Sequence, residues 1–97
     1  MMYLILWEGD ESVMPKDPEE RGKLHASMLE MTKKALDSGE IKMWGLSATG
    51  SCGFTVTDRD PKELLANSMK YAPYIKSEAK PMLSIDEVAD VMKGMQQ

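Results

Sequence analysis

The chain has 97 residues, 42% of them hydrophobic, and 12 basic against 16 acidic residues give it a net charge of −4. This length fits one domain, residues 1–97, and the acidic balance argues against nucleic acid and anionic membrane surfaces as partners. The single cysteine, Cys52, excludes an internal disulfide and favours a cytoplasmic location. No run approaches the roughly 20 apolar residues of a membrane-spanning helix, so no membrane partner is expected.

The N-terminal part predicts a strand followed by a long helix. Residues 2–8 are almost wholly apolar, which is typical of a central strand covered on both faces. Asp17, Pro18 and Glu20 then form a helix start, with a capping residue, a first-turn proline and an acidic residue three positions after the cap. We expect this helix to run to about Ser38 and to pack an apolar stripe on a sheet.

The centre of the chain predicts a β-hairpin. Residues 41–49 and 54–57 contain many β-branched and aromatic side chains, and they flank the glycine-rich turn 50–53. This turn lacks the pattern of a phosphate-binding loop and leads into a strand, so we interpret it as a plain turn. No positive charge lies near Cys52 in the sequence, which favours an inert thiol.

The following helix begins with a signal of the same kind. Asp60, Pro61 and Glu63 repeat the cap, the proline and the acidic residue, and they predict a helix over residues 61–71. The two matching helix starts indicate two β-α-β halves that are related by pseudo-symmetry.

The C-terminal part predicts a strand and a short helix. Residues 74–83 predict a strand at a sheet edge, because Pro81 has no N–H to donate to a neighbouring strand. Ser84 and Glu87 form a capping box that begins a helix over residues 85–95. The apolar residues on one face of this helix leave partner binding open as a further role.

The order β-α-β-β-α-β-α predicts an α+β fold of the ferredoxin-like type, with a four-stranded antiparallel sheet and a short C-terminal helix. Right-handed crossovers place both long helices on one face of the sheet. The other face is then open and carries large apolar residues. We therefore expect this face to contact a partner.

A family resemblance lies in the first long helix and the segment after it. These residues are Arg21, His25, Leu29, Gly39-Glu40-Ile41 and Gly45. Together with Asp60-Pro61 and the segment 81–84, they resemble small families of the dimeric α/β-barrel superfamily, related to YCII and to muconolactone isomerase. The resemblance implies a homodimer through the open sheet face, in which two ferredoxin-like sheets form a dimeric α/β barrel. The Arg21-x-x-x-His25 spacing is wider than the YCII spacing, so the resemblance assigns no role to His25.

Candidate residues for chemistry are few. His25 is the only histidine, and imidazole suits general acid or base catalysis at neutral pH, so it is the candidate catalytic residue. The alternative is a partly exposed histidine at the edge of the helix stripe. The sequence shows no metal-ligand spacing and implies no cofactor. The acidic residues of segment 8–11 are interpreted as a solvated loop.

Aromatic side chains with a few hydroxyl groups are typical of a small-molecule pocket. We expect such a pocket in the space between the two sheets of the dimer. Its predicted residues are Tyr3, Ile5, Trp7, Ser47, Thr55 and Thr57. Alternatively, the aromatic rings simply fill the dimer core.

Two functions fit these features. The first is a small cytoplasmic dimer that binds an apolar or aromatic small molecule between the sheets, with or without a cofactor-independent reaction. The second is a non-catalytic dimer that senses a ligand or has a structural role. The sequence leaves open which is correct, and whether the protein is an enzyme.

Overall fold

A computed structural model describes residues 1–96, and only Gln97 of the predicted domain lies outside the described residues. The elements are β1 (Met2–Gly9), α1 (Pro18–Asp37), β2 (Met43–Leu46), β3 (Cys52–Thr57), α2 (Pro61–Tyr71), β4 (Ile75–Met82) and α3 (Ile85–Met95), with a short 3₁₀ helix at Glu11–Val13. The strands form one antiparallel sheet in the order β2-β3-β1-β4. The predicted α+β fold with a broadly ferredoxin-like order of elements is confirmed. β1 is an inner strand and β4 lies at an edge, as predicted.

The helices begin where the sequence places them, because each start is fixed by a local hydrogen bond. The side chains of Asp17, Asp60 and Ser84 accept from the backbone N–H three residues later, at 3.1, 3.1 and 3.2 Å. At α3 the carboxylate of Glu87 also accepts from the Ser84 N–H at 2.9 Å, which completes the capping box. These bonds to Ser84 hold the pKa of Glu87 below its ordinary value.

The strand β2 is shorter than predicted. The N–H of Ile41 donates to the carbonyl of Ala35 at 3.2 Å, so Ile41 is still tied to the end of α1. At the other end, the N–H of Gly50 donates to the carbonyl of Ser47 at 2.9 Å, and the turn therefore begins at Ser47. Local residue preference does not show these contacts, which is why the strand prediction extended too far in both directions.

The register of the strands sorts the side chains into two faces of the sheet. Ile5 pairs with Thr55 and Trp7 pairs with Gly53. Ile5, Trp7 and Thr55 line a cavity together with residues of α1 and α2, so this side is the helix face. Leu6 alternates with them and lies on the opposite side, which we call the outer face.

One prediction about the faces is wrong. Tyr3, Ile5 and Trp7 were expected to face the space between two sheets, but they lie on the helix face of β1. Thr55 and Thr57 share that face, because they pair with Ile5 and Tyr3. Both sides of β1 carry large apolar residues, so its alternation alone does not indicate which side the helices cover.

Few side chains are fully buried between the sheet and the helices. The buried apolar residues are Met14 and Ile41, and the buried polar residues are Thr32, Thr55 and Thr57. A domain of this size normally packs its core in this layer. Here the layer contains a large cavity instead.

Thr57 ties the end of β3 to the segment before β2. Its side chain is 1% exposed, its hydroxyl donates to the carbonyl of Glu40 at 2.7 Å, and it accepts from the N–H of Arg59 at 3.3 Å. We expect Thr57→Val to lower the free energy of unfolding by about 2 kcal/mol, because both backbone groups lose their partner. Thr57→Ser keeps the hydroxyl and should cost less. Urea denaturation measures both, and an equal loss would contradict the role of the hydroxyl.

Candidate ligand site

The cavity lies between the helix face of the sheet and helices α1 and α2, and its volume is about 530 Å³. Known small-molecule sites have volumes of roughly 300–1,000 Å³ and are mainly apolar with a few polar groups. The residues that line this cavity are likewise mainly apolar, with a few polar groups. Its main residues are Ile5, Trp7, Trp44 and Thr55 from the sheet, Met28, Thr32 and Ala35 from α1, and Leu64, Asn67 and Tyr71 from α2.

Two tryptophans form a flat apolar wall of this cavity. The rings of Trp7 and Trp44 are stacked, with centroids 5.9 Å apart and planes inclined by 22°. Strand register produces this contact, because Trp44 pairs with Thr55 and Thr55 pairs with Ile5, two residues from Trp7. A stacked indole pair offers a surface on which a further aromatic ring packs well.

A pair of hydroxyl groups joins the two long helices beside the cavity. The side-chain oxygen of Thr32 lies 3.3 Å from the hydroxyl oxygen of Tyr71. Thr32 already donates its proton to the carbonyl of Met28 at 3.0 Å, so Tyr71 must be the donor within the pair. The Tyr71 oxygen therefore keeps its acceptor capacity. A bound molecule with an O–H or N–H group can use this acceptor.

Charged residues lie on the N-terminal half of α1 at the same cavity. Arg21 forms an ion pair with Glu11 of the 3₁₀ helix, and both residues line the cavity. His25 lies one turn further along α1, is exposed, and also lines the cavity. Within the described residues, no side-chain hydrogen bond or ion pair involves the His25 imidazole. The imidazole is therefore close to the cavity without being held by a carboxylate.

The structure brings together only some of the predicted site residues. Ile5, Trp7, Thr55 and His25 line the cavity of about 530 Å³. Tyr3 is not among the residues that line it. The Ser47 hydroxyl instead lies in the hairpin turn, 3.1 Å from the hydroxyl of Thr49.

Thr57 belongs to a second, smaller cavity of about 100 Å³. Beside it Arg59 forms ion pairs with Glu63 and, at 2.9 Å, with Glu40. The hydrogen bond to Glu63 is the main reason why the pKa of Arg59 is raised above its ordinary value. These ion pairs join the end of the sheet to α2. The Thr57 hydroxyl is already bonded to the carbonyl of Glu40 and the N–H of Arg59. We therefore assign Thr57 to the fold rather than to ligand binding.

Sequence reasoning missed the polar residues that the helices contribute. Thr32 and Tyr71 were not singled out, although Thr32 lies one turn after Met28 on the face of α1 that packs inward. A polar residue within an apolar helix stripe was the available signal. Asn67 on α2 carries the same signal.

The acidic loop after β1 is held by neighbouring side chains. Asp10 accepts a hydrogen bond from the Ser12 hydroxyl at 2.6 Å and lies 3.5 Å from the Lys76 ammonium. The bond from Ser12 is the main reason why the pKa of Asp10 is lowered.

Among residues 1–96, no group of three or more His, Cys, Asp or Glu residues is placed to hold a metal ion. No helix in the same range is long and apolar enough to cross a membrane.

The chain matches no protein-family model, and no curated protein matches it significantly.

Proposed function

We propose that this protein binds an aromatic small molecule with one hydrogen-bond donor, in the cavity between the helices and the sheet. The observation that carries the proposal is the cavity itself, about 530 Å³ of space in the layer where a small domain normally packs its core. The Trp7–Trp44 pair offers a surface for a ring, and the Tyr71 oxygen offers an acceptor. This location replaces the space between two sheets as the proposed ligand site.

The sparse core makes ligand binding energetically favourable. Apolar side chains at the edge of a void lack dispersion contacts on one side, and a bound molecule restores those contacts. A molecule that binds only the folded state also stabilises it by mass action. We therefore expect the ligand to raise the thermal unfolding temperature in a concentration-dependent way.

Filling the cavity with a side chain tests the site. We expect Ala35→Phe to weaken the binding of 2-naphthol at least ~10-fold, because the added ring occupies space that the ligand needs. The matched control is Ala26→Phe, which adds the same ring to an exposed position of α1 that does not line the cavity. Isothermal titration calorimetry with 2-naphthol measures both affinities. Equal weakening by the two variants would contradict the site.

His25 is the residue that we propose for catalysis, if the bound molecule is also transformed. It is the only histidine of the chain, it lines the cavity, and its exposure allows proton exchange with water. In that case we expect His25→Gln to lower turnover by a factor of roughly 10² to 10⁴ and to change the 2-naphthol affinity far less. Turnover that survives this substitution undiminished would show that His25 is not the catalytic residue, whereas a wild-type protein that binds the ligand without turnover would favour the alternative, a ligand-sensing module.

We also propose that a second copy of the chain covers the outer face of the sheet. Leu6, Met43 and Met2 lie on this face and are 42%, 56% and 40% exposed. Large apolar side chains that are left exposed on a sheet face are typical of an interface with another molecule. The free thiol of Cys52 is exposed as well, which supports a cytoplasmic location for this homodimer.

A further inference from the structure

We propose that α3 is an arm that docks its apolar stripe on a second copy of this chain. All eleven residues of this helix are exposed. Its stripe consists of Ile85, Val88, Val91, Met92 and Met95, and these side chains are between 36% and 81% exposed. This proposal is independent of the ligand site, and it adds a contact to the proposed dimer.

The length and pattern of α3 indicate that it needs a surface to pack on. Isolated helices shorter than ~12–15 residues are marginal in water, even with good helix formers. The capping box of Ser84 and Glu87 fixes only the first turn. The remaining turns depend on packing of the apolar stripe, because most helical stability in proteins comes from an amphipathic face in contact with its neighbours.

The chain has more surface than a monomer of its mass. Its accessible surface is 7225 Å², whereas a folded monomer of 10.9 kDa has about 5,600 Å². The excess, about 1,600 Å², is twice the ~800 Å² that one partner contributes to a stable interface of standard size. The radius of gyration is 16.4 Å, against about 12.5 Å for a compact domain of this length. Docking on a second copy would bury this excess surface.

The short connection between β4 and α3 also agrees with docking on a second copy. Only Leu83 and Ser84 separate it from β4, and the molecule is 62 Å long but only 26 and 24 Å wide. All residues of α3 are exposed, so this helix does not pack closely on its own sheet. In a two-fold dimer, α3 of each copy packs on the other copy, so the two contacts are equivalent and no further copy is needed.

Sedimentation equilibrium on the full chain tests the arm. We expect Met92→Glu to raise the dimer dissociation constant at least ~10-fold, because it places a charge in the apolar stripe. The matched control is Lys93→Gln, which changes the net charge by the same amount on the opposite side of α3. We expect its dissociation constant to stay within about twofold of wild type. Met92→Leu keeps the stripe apolar and should retain the dimer.

A second measurement identifies the molecule that the arm contacts. An equal mixture of unlabelled and ¹⁵N-labelled protein is treated with an amine cross-linker. We expect cross-links of Lys93 that join a light and a heavy chain. A monomeric wild-type protein, or Lys93 cross-links that are all within one chain, would overturn the proposal. A dimer that survives Met92→Glu unchanged would also overturn it, while leaving the outer-face contact and the ligand site untouched.

Discussion

Gly53→Ala is expected to lower the free energy of unfolding by about 3 kcal/mol, at the upper end of the cost of overpacking. Gly53 pairs with both Trp7 and Leu46 across the sheet. A Cβ at this position would overlap the Trp7 ring and the carbonyl oxygen of Gly45. The carbonyl belongs to the backbone of β2, so it cannot move away without disturbing the pairing of β2 with β3. The Trp7 ring can therefore pack on the sheet at this position only because residue 53 is a glycine.

The matched control is Gly22→Ala in α1. No atom lies within 4 Å of a Cβ built at Gly22, and alanine is favoured over glycine within a helix by roughly 0.5–1 kcal/mol. This variant should be as stable as wild type or more stable. Urea denaturation at one protein concentration compares the variants. A Gly53→Ala protein within about 0.5 kcal/mol of wild type would contradict the close packing of Trp7 on the sheet.

Leu6→Lys is expected to raise the dissociation constant of the proposed dimer at least ~100-fold, or about 2.7 kcal/mol. Leu6 lies on an inner strand of the outer face and is 42% exposed in the single chain. A second copy on this face would remove the lysine ammonium from water, and this desolvation is costly. Within the chain, Leu6 is opposite Glu78, so the new lysine gains a favourable cross-strand neighbour and the fold should persist.

The control for this variant is Asp37→Asn. It changes the net charge by the same amount at an exposed position at the C-terminal end of α1. Size-exclusion chromatography with light scattering, over a range of protein concentrations, measures both variants. If Leu6→Lys and wild type show the same mass at every concentration, the outer face is not the dimer interface.

The helix boundaries could be predicted closely because their causes are local. Asp17, Asp60 and Ser84 each cap a helix through a hydrogen bond to a residue three positions later, and this pattern is visible in the sequence. The position of β4 at the edge of the sheet also has a local cause, since Pro81 lacks an N–H group. The order of elements then predicted the arrangement of the sheet.

The site was predicted only in part, because its position depends on distant contacts. Trp7 was identified as a pocket residue, but the sequence placed it on the wrong side of the sheet. β1 is apolar on both sides, and only the path of α1 and α2 decides which side they cover. The contact between Thr32 and Tyr71 joins two helices that are far apart in the chain. Neither residue carries a local signal that reveals the other.

The methionines allow the most direct test of the ligand site. Met14 and Met28 line the cavity, whereas Met2 and Met43 lie on the outer face. Methyl NMR of ¹³C-methionine-labelled protein, titrated with 2-naphthol, therefore reports on the two sides of the sheet separately. The proposed function predicts shifts of the Met14 and Met28 signals, with those of Met2 and Met43 unchanged. Shifts confined to Met2 and Met43 would place the ligand between two sheets and would contradict the proposed site.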